Sequence, residues 1–186
     1  MNPIHWDLGG GLVVRTLTPD DDGRMFELVE ANRDRLRPWM PWEPRTQGPA
    51  DTRVFIERSL ASETDLEANG LWLDGELVGT IGFRIDPPDE KGELGYWIDR
   101  GAEGRGIVTR ACRRFLAFGF DELGLHRIEL HAAVQNRRSR AVAERLGMVQ
   151  EGITRESERV AVGFNDSVVY GLLVGEWRRN VGGGTG

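Results

Sequence analysis

Gly101-Ala102-Glu103-Gly104-Arg105-Gly106-Ile107-Val108-Thr109 follows a short apolar run and opens an amphipathic pattern that continues to about residue 123, carrying Ala111, Phe115, Leu116 and Phe118. The pattern is that of a glycine-rich turn leading into a helix. Unpaired backbone N–H groups at such a helix start, together with the helix dipole, make a site for phosphate. About one strand further on, Asn136-Arg137-Arg138-Ser139 opens a second helix, which Gly147 ends. An amide and a hydroxyl three residues apart at that start can hold and protonate a group lying alongside. Together the two segments predict a phosphorylated cofactor whose reactive end points at Ser139.

The turn departs from the better-known phosphate motifs. A P-loop closes on Gly-Lys-Ser or Gly-Lys-Thr, whereas this chain reads Gly104-Arg105-Gly106-Ile107. A dinucleotide fingerprint follows the first strand of repeating βαβ units, and these glycines follow a fourth predicted strand in a hairpin-rich chain. ATP and NAD are therefore disfavoured. Taken alone, the glycines also suit a tight turn without a ligand.

Outward from the turn, strands are predicted over 12–17, 71–73, 77–85, 93–99, 126–134, 149–158 and 167–174. Asp74-Gly75 is the turn of a hairpin. Helices are predicted from Thr18-Pro19-Asp20 to Asn32, over 51–66 with Val54, Phe55 and Leu60 on one face, over 107–123, and over 136–146. The order β-α-α-β-β-β-α-β-α-β-β gives an α+β class with a mixed sheet, parallel only across the helical crossover. Ligands of such sheets sit at the carboxyl ends of parallel strands, where the glycine-rich turn lies. Between residues 34 and 50, Pro38, Trp39, Met40, Pro41, Trp42 and Pro44 stiffen a loop. Its tryptophans read either as a lid over a pocket or as the plug of a core edge.

The 186 residues, 39% hydrophobic and 29% charged, suit one domain over 1–180 with a flexible tail over 181–186. A net charge of −6 disfavours nucleic acid and anionic membrane as partners, while still attracting a cationic amine. The single cysteine, Cys112, excludes an internal disulfide framework and a cysteine-cluster zinc site. It reads as a buried, inert thiol. His5, His126 and His131 show no metal spacing, so no metal is expected. No run is long and apolar enough to span a bilayer and no signal peptide is visible, so the expected location is cytoplasmic.

Glu93-Leu-Gly-Tyr-Trp-Ile-Asp99, the turn from Gly104 to Thr109, and Asn136-Arg-Arg-Ser139 running to Glu144-Arg-Leu-Gly147-Met148 resemble the GNAT superfamily of N-acetyltransferases, nearest its RimJ/RimL branch, which acetylates N-terminal amines of ribosomal proteins. The resemblance covers roughly residues 12–174. It implies the GNAT-like fold, a central mixed six- to seven-stranded sheet flanked by about four helices. It implies acetyl-CoA as co-substrate, an amine acceptor (a protein N-terminus or a small amine), and a homodimer as the suggested assembly. By resemblance, Trp97 and Ile98 pair with the pantetheine arm, and Gly104, Arg105, Gly106, Ile107, Val108 and Thr109 receive the pyrophosphate. Asn136 holds the pantetheine and Ser139 protonates the leaving thiolate. Glu67 is the implied base, with Glu93 as the alternative.

Trp39, Trp42, Glu93 and Tyr96 are the expected acceptor-side residues, with the loop at 38–44 and the hairpin at 160–167 as walls. Arg140, with Arg137 and Arg138, reads as a contact for the CoA 3′-phosphate or as a solvated face. Two departures stand out: Gly101 where relatives often carry Gln or Arg, and Ala143 where many carry a tyrosine acid. Each site residue also has a simpler reading, Ser139 as a first-turn serine bonded to backbone and Glu67 as a solvated helix-end carboxylate. Two other classes remain open, a non-catalytic acyl-CoA sensor and a nucleic-acid binder resting on the arginine cluster.

Overall fold

Asp74 and Gly75 both adopt positive φ, 51° and 86°, as a two-residue hairpin turn requires. They join β3 (Asp65–Leu73) to β4 (Glu76–Asp86). Within β3 the alternation sorts side chains to two faces. Leu71 and Leu73 pack in the cluster under α3 (Ile107–Ala117), while Trp72 packs with Met25 of α1 (Asp22–Leu36) and Ile56 of α2 (Pro49–Leu60). The sheet is covered on both faces at this point, which is why Ala68–Leu73 is buried at every position rather than at alternate ones.

The structure, a computed structural model, describes residues 3–182. Adding β1 (His5–Asp7), β2 (Leu12–Thr16), β5 (Lys91–Ile98), β6 (Arg127–Ala133), β7 (Val149–Val160) and β8 (Gly163–Leu173) gives an eight-stranded sheet in the order β1-β2-β3-β4-β5-β6-β8-β7. Every neighbouring pair is antiparallel except β5–β6. The expected class holds, but with one strand more than six to seven. The extra strand, β1, has three residues, too few for a periodic signal. It is held by Trp6, whose ring meets Phe115 and Phe118 edge-on at 5.1 and 5.2 Å under the Arg114 guanidinium.

The helices also number one more than expected. After α4 (Arg137–Arg145) a fifth, α5 (Val174–Gly182), seats Trp177 on Phe120 at 5.9 Å. It takes in the start of the predicted tail, the rest of which lies outside the described residues. Nine residues form a helix through packing rather than propensity. The helix expected over 51–66 ends at Leu60, because the Ser62 hydroxyl accepts the N–H groups of Thr64 and Asp65 and turns the chain into β3. The face expected to carry Val54, Phe55 and Leu60 is also corrected. Val54 and Leu60 are exposed, and Thr52, Ile56 and Ser59 are the buried positions.

The main core lies between the sheet and α3. Ala111, Cys112, Phe115 and Leu116 are fully buried there against Phe83, Leu94 and Ile128. Gly119, in the last helical turn, lets that turn close on the sheet: a Cβ there would sit 2.7 Å from the Ile128 side chain. Among the described residues no helix is long and apolar enough to cross a membrane.

Candidate active site

β5 and β6 pair at Lys91–Arg127, Gly92–Ile128 and Glu93–Glu129 only. Beyond Glu93 each strand keeps its outer antiparallel partner, β4 or β8, and loses the inner one. The result is a wedge in the middle of the sheet, opening into a cleft of about 1120 Å³. Tyr96, Trp97 and Ile98 of β5 line one wall, and Asn136 and Ser139 at the start of α4 line the other. The 104–109 turn closes one end, and Leu36, Pro38, Trp39 and Met40 flank the opposite side.

The turn has the form that an anion needs. Gly104 and Gly106 hold φ of +73° and +72°, and a Cβ on either would meet nothing within 4 Å. Glycine is thus demanded by the left-handed backbone, and the space above the amides is open. No acidic side chain stands in the first turn of α3 and no side chain caps it. The first intrahelical bond there runs from Arg110 N to Gly106 O, which leaves the preceding N–H groups free. These residues therefore fit a phosphate group.

Asn136 caps α4, its Oδ1 accepting from Ser139 N at 3.2 Å. The Ser139 hydroxyl is not spent on backbone. It lies 3.0 Å from the hydroxyl of Tyr96, a half-buried residue of the cleft wall. Burial first, and then the neighbouring Cys112 thiol, push the Tyr96 phenol well above its usual range, so it stays protonated. Cys112 is fully buried and its thiol is likewise pushed up by burial, in keeping with an inert group.

Other expected residues fall elsewhere. Glu67 sits not at a helix end but in a β-bulge of β3, between Leu66 and Asn69. Its carboxylate is 3.1 Å from Arg84 and 3.8 Å from Arg58, and it does not line the cleft. Glu93, Arg105 and Arg140 are also outside the lining. Arg140 is turned toward β8, donating to the Tyr170 hydroxyl and to Val134 O, each at 3.2 Å. The two loop tryptophans divide the two readings between them. Trp39 lines the cleft, while Trp42 packs on the buried Trp97 at 5.9 Å.

Residues that sequence reasoning passed over are brought in by tertiary structure. Glu103 binds Arg35 of α1 and Arg138 of α4, tying the two sides of the cleft mouth together. Asn32 donates to Asp99 at 2.7 Å and accepts from Arg100 N at 3.1 Å, fixing the end of β5 to α1. Arg33 reaches Glu43 Oε1 at 2.7 Å and Thr46 O at 2.8 Å, pinning the proline-rich loop.

Glu158, like Glu67, is outside the cleft lining, but its strand hairpin reaches the loop that flanks the cleft. Its cross-strand partner Asn165 donates to Pro38 O at 2.8 Å, and Pro38 lines the cleft. Directly opposed residues share a face of the sheet, so Glu158 stands on the face that meets the loop. Its carboxyl is pushed above the usual range, by burial first and by the charge of Glu93 second, with His131 and Arg84 acting the other way. No motif marks it. It lies nineteen residues beyond Ser139 on an edge strand.

A family model described as an acetyltransferase (GNAT) domain matches residues 11–149, which includes the turn, the wedge and Ser139. The chain belongs to the GNAT acetyltransferase family. The enzyme is 38% identical over 174 residues to YdaF of Bacillus subtilis (strain 168), named as a candidate ribosomal N-acetyltransferase, covering 89% of this chain and 93% of that one. It is 26% identical to the ribosomal-protein-serine acetyltransferase of Escherichia coli (strain K12), over 81% of this chain and 86% of that one. The fold matches the solved structure of RimL, the ribosomal L7/L12 alpha-N-protein acetyltransferase, in complex with coenzyme A. The TM-score is 0.86 at 20% identity, over 93% of this chain and 99% of that one. The enzyme is thus an N-acetyltransferase by family, and the homologues bear out the RimJ/RimL-type reading of its motifs.

Proposed function

We propose that the enzyme transfers the acetyl group of acetyl-CoA to a protein N-terminal α-amine, directly and without a covalent enzyme intermediate. The observation that carries this reading is the wedge between β5 and β6, with an open, unpaired set of helix N–H groups at one end and the Ser139 hydroxyl on the α4 wall. The relatives support both halves of it. RimL is solved with coenzyme A, the self-immunity acetyltransferase MccE with acetyl-CoA and AMP, and the Escherichia coli relative is named for a ribosomal protein. An α-amine of pKa about 8 surrenders its proton more readily than a lysine of about 10.4, which suits a single carboxylate base.

In this reading the N–H groups of Ile107, Val108 and Thr109 receive the pyrophosphate, and the unpaired inner edge at Trp97 and Ile98 receives the pantetheine. Glu158, directly or through water, takes a proton from the acceptor ammonium. The nitrogen lone pair then forms a C–N bond at the thioester carbonyl and the C–S bond breaks. Ser139 gives its proton to the departing sulfur and regains one from the nitrogen, which leaves as a neutral amide. Glu158 is favoured over Glu67 because its proton affinity is raised, whereas Glu67 is held between two guanidinium groups.

Calorimetric titration of acetyl-CoA, followed by thiol release with a panel of peptides and small amines, tests the reading. Binding with release on peptide N-termini supports it. Release confined to small amines, or binding without release on any amine, refutes it in favour of a small-amine enzyme or a sensor.

The choice of base gives a separate expectation. A base works deprotonated, so kcat/KM should rise with pH through a Glu158 pKa set above the ordinary glutamate range. Glu158→Gln should remove that acid limb and lower kcat/KM about 10²-fold, the low end for general base catalysis. At neutral pH the ionised side chain is the disfavoured form in the folded state, so the same variant should be no less stable than the parent. An undiminished rate in Glu158→Gln, with the loss appearing in Glu67→Gln instead, would return the role to the bulge.

A further inference from the structure

The geometry points to Tyr96 as a positioning residue that holds the Ser139 hydroxyl with its proton directed into the cleft. The inference rests on the acetyl-transfer reading of the site and adds a residue to it. The Tyr96 hydroxyl lies 3.0 Å from Ser139 Oγ and 3.5 Å from Ser139 O, so the nearer acceptor is the hydroxyl oxygen. Both oxygens within reach of the Tyr96 hydroxyl belong to Ser139, while Ser139 also faces the open cleft, so Tyr96 is taken as the donor and Ser139 as the acceptor. With one lone pair so occupied, the proton of Ser139 has to point away from Tyr96. Asn136 fixes the same residue from the backbone side through Ser139 N, so the residue is held at two points, its hydroxyl by Tyr96 and its N–H by Asn136.

Burial pushes the Tyr96 phenol up, so it is protonated near neutral pH. In this inference it orients Ser139, whose hydroxyl faces the cleft and is taken as the proton source. The ring is anchored on β5, which faces α4 only because the wedge separates β5 from β6. Ala143, the position the resemblance gives to a tyrosine acid, is fully buried in this chain. Here a tyrosine from the facing strand supports a serine instead.

Tyr96→Phe keeps the ring and deletes the donor. Losing one neutral hydrogen bond predicts a fall in kcat of about fivefold to tenfold. The KM for acetyl-CoA, the KM for the acceptor and the calorimetric affinity for CoA should not change. In the Ser139→Ala background the same change should have no further effect, since the group it orients is gone. Losses that multiply in the double variant, or a raised KM for acetyl-CoA, would show that Tyr96 acts independently of Ser139 and overturn the inference.

A second measurement needs no turnover. In Ser139→Cys the new thiol takes the place of the hydroxyl, and a donated hydrogen bond stabilises its thiolate. The pH midpoint of its alkylation should rise when Tyr96→Phe is added, with the buried Cys112 silent in both. An unmoved midpoint refutes the donation even if the acceptor remains unfound. Absence of thiol release by the parent enzyme would count against the acetyl-transfer reading alone.

Discussion

Replacing Ser139 by Ala is expected to lower kcat for thiol release by about 10²-fold, the low end of what a positioned general acid contributes. The affinity for CoA should stay within a factor of about two, because Asn136 and the α3 N–H groups are untouched. The hydroxyl is bonded to Tyr96 and not to the backbone, and α4 is capped by Asn136, so the helix keeps its start. A loss of rate with unchanged affinity and unchanged melting temperature separates a chemical role from a structural one. An unaltered kcat would remove Ser139 from the reaction and leave the thiolate to be protonated by solvent.

Phe115→Ala is expected to destabilise the protein by about 3–5 kcal/mol, the range for deleting a buried aromatic ring. Phe115 is fully buried in α3 and meets Trp6 at 5.1 Å, Phe83 at 5.5 Å and Phe118 at 6.4 Å, all edge-on. The ring thus ties β1, β4 and the last turn of the helix to one point. For a chain of this size the change corresponds to a drop in melting temperature of roughly 6–20 °C, read by calorimetry or circular dichroism. Because α3 also presents the N–H groups of the glycine-rich turn, CoA affinity should fall in the same variant. A smaller drop, with the helix still seated, would mean that the cluster collapses into the space left by the ring.

What was legible in the sequence was local. Asp74-Gly75 named its own turn because two consecutive positive φ values leave few residue choices. Gly104 and Gly106 marked the left-handed turn before α3 for the same reason. Asn136 and Ser139, three apart at a helix start, carry both the cap and the hydroxyl within one helical turn. The α+β class followed from the order of strand and helix patterns, and the motif spacing was sufficient to indicate the family.

The elements that were missed are those whose stability is borrowed from elsewhere. β1 has three residues and exists because Trp6 packs on Phe115, more than one hundred positions away. α5 exists because Trp177 finds Phe120. The helix over 51–66 read too long because no glycine or proline marks its end, and a serine hydroxyl turns the chain instead. That error put Glu67 on a helix end, whereas a bulge aims it at Arg84 and Arg58.

The sequence by itself determined the turn chemistry, the helix starts and the family. Each of these depends on backbone dihedrals or on spacings within one element. Only the tertiary structure decided which carboxylate has its proton affinity raised and what the Ser139 hydroxyl meets. Glu158 has its proton affinity raised by burial and by Glu93 on another strand, and Ser139 meets Tyr96 across forty-three positions of chain. Proton affinity and hydroxyl direction are set by what surrounds a group in space, and for these residues the surroundings come from strands far apart in sequence.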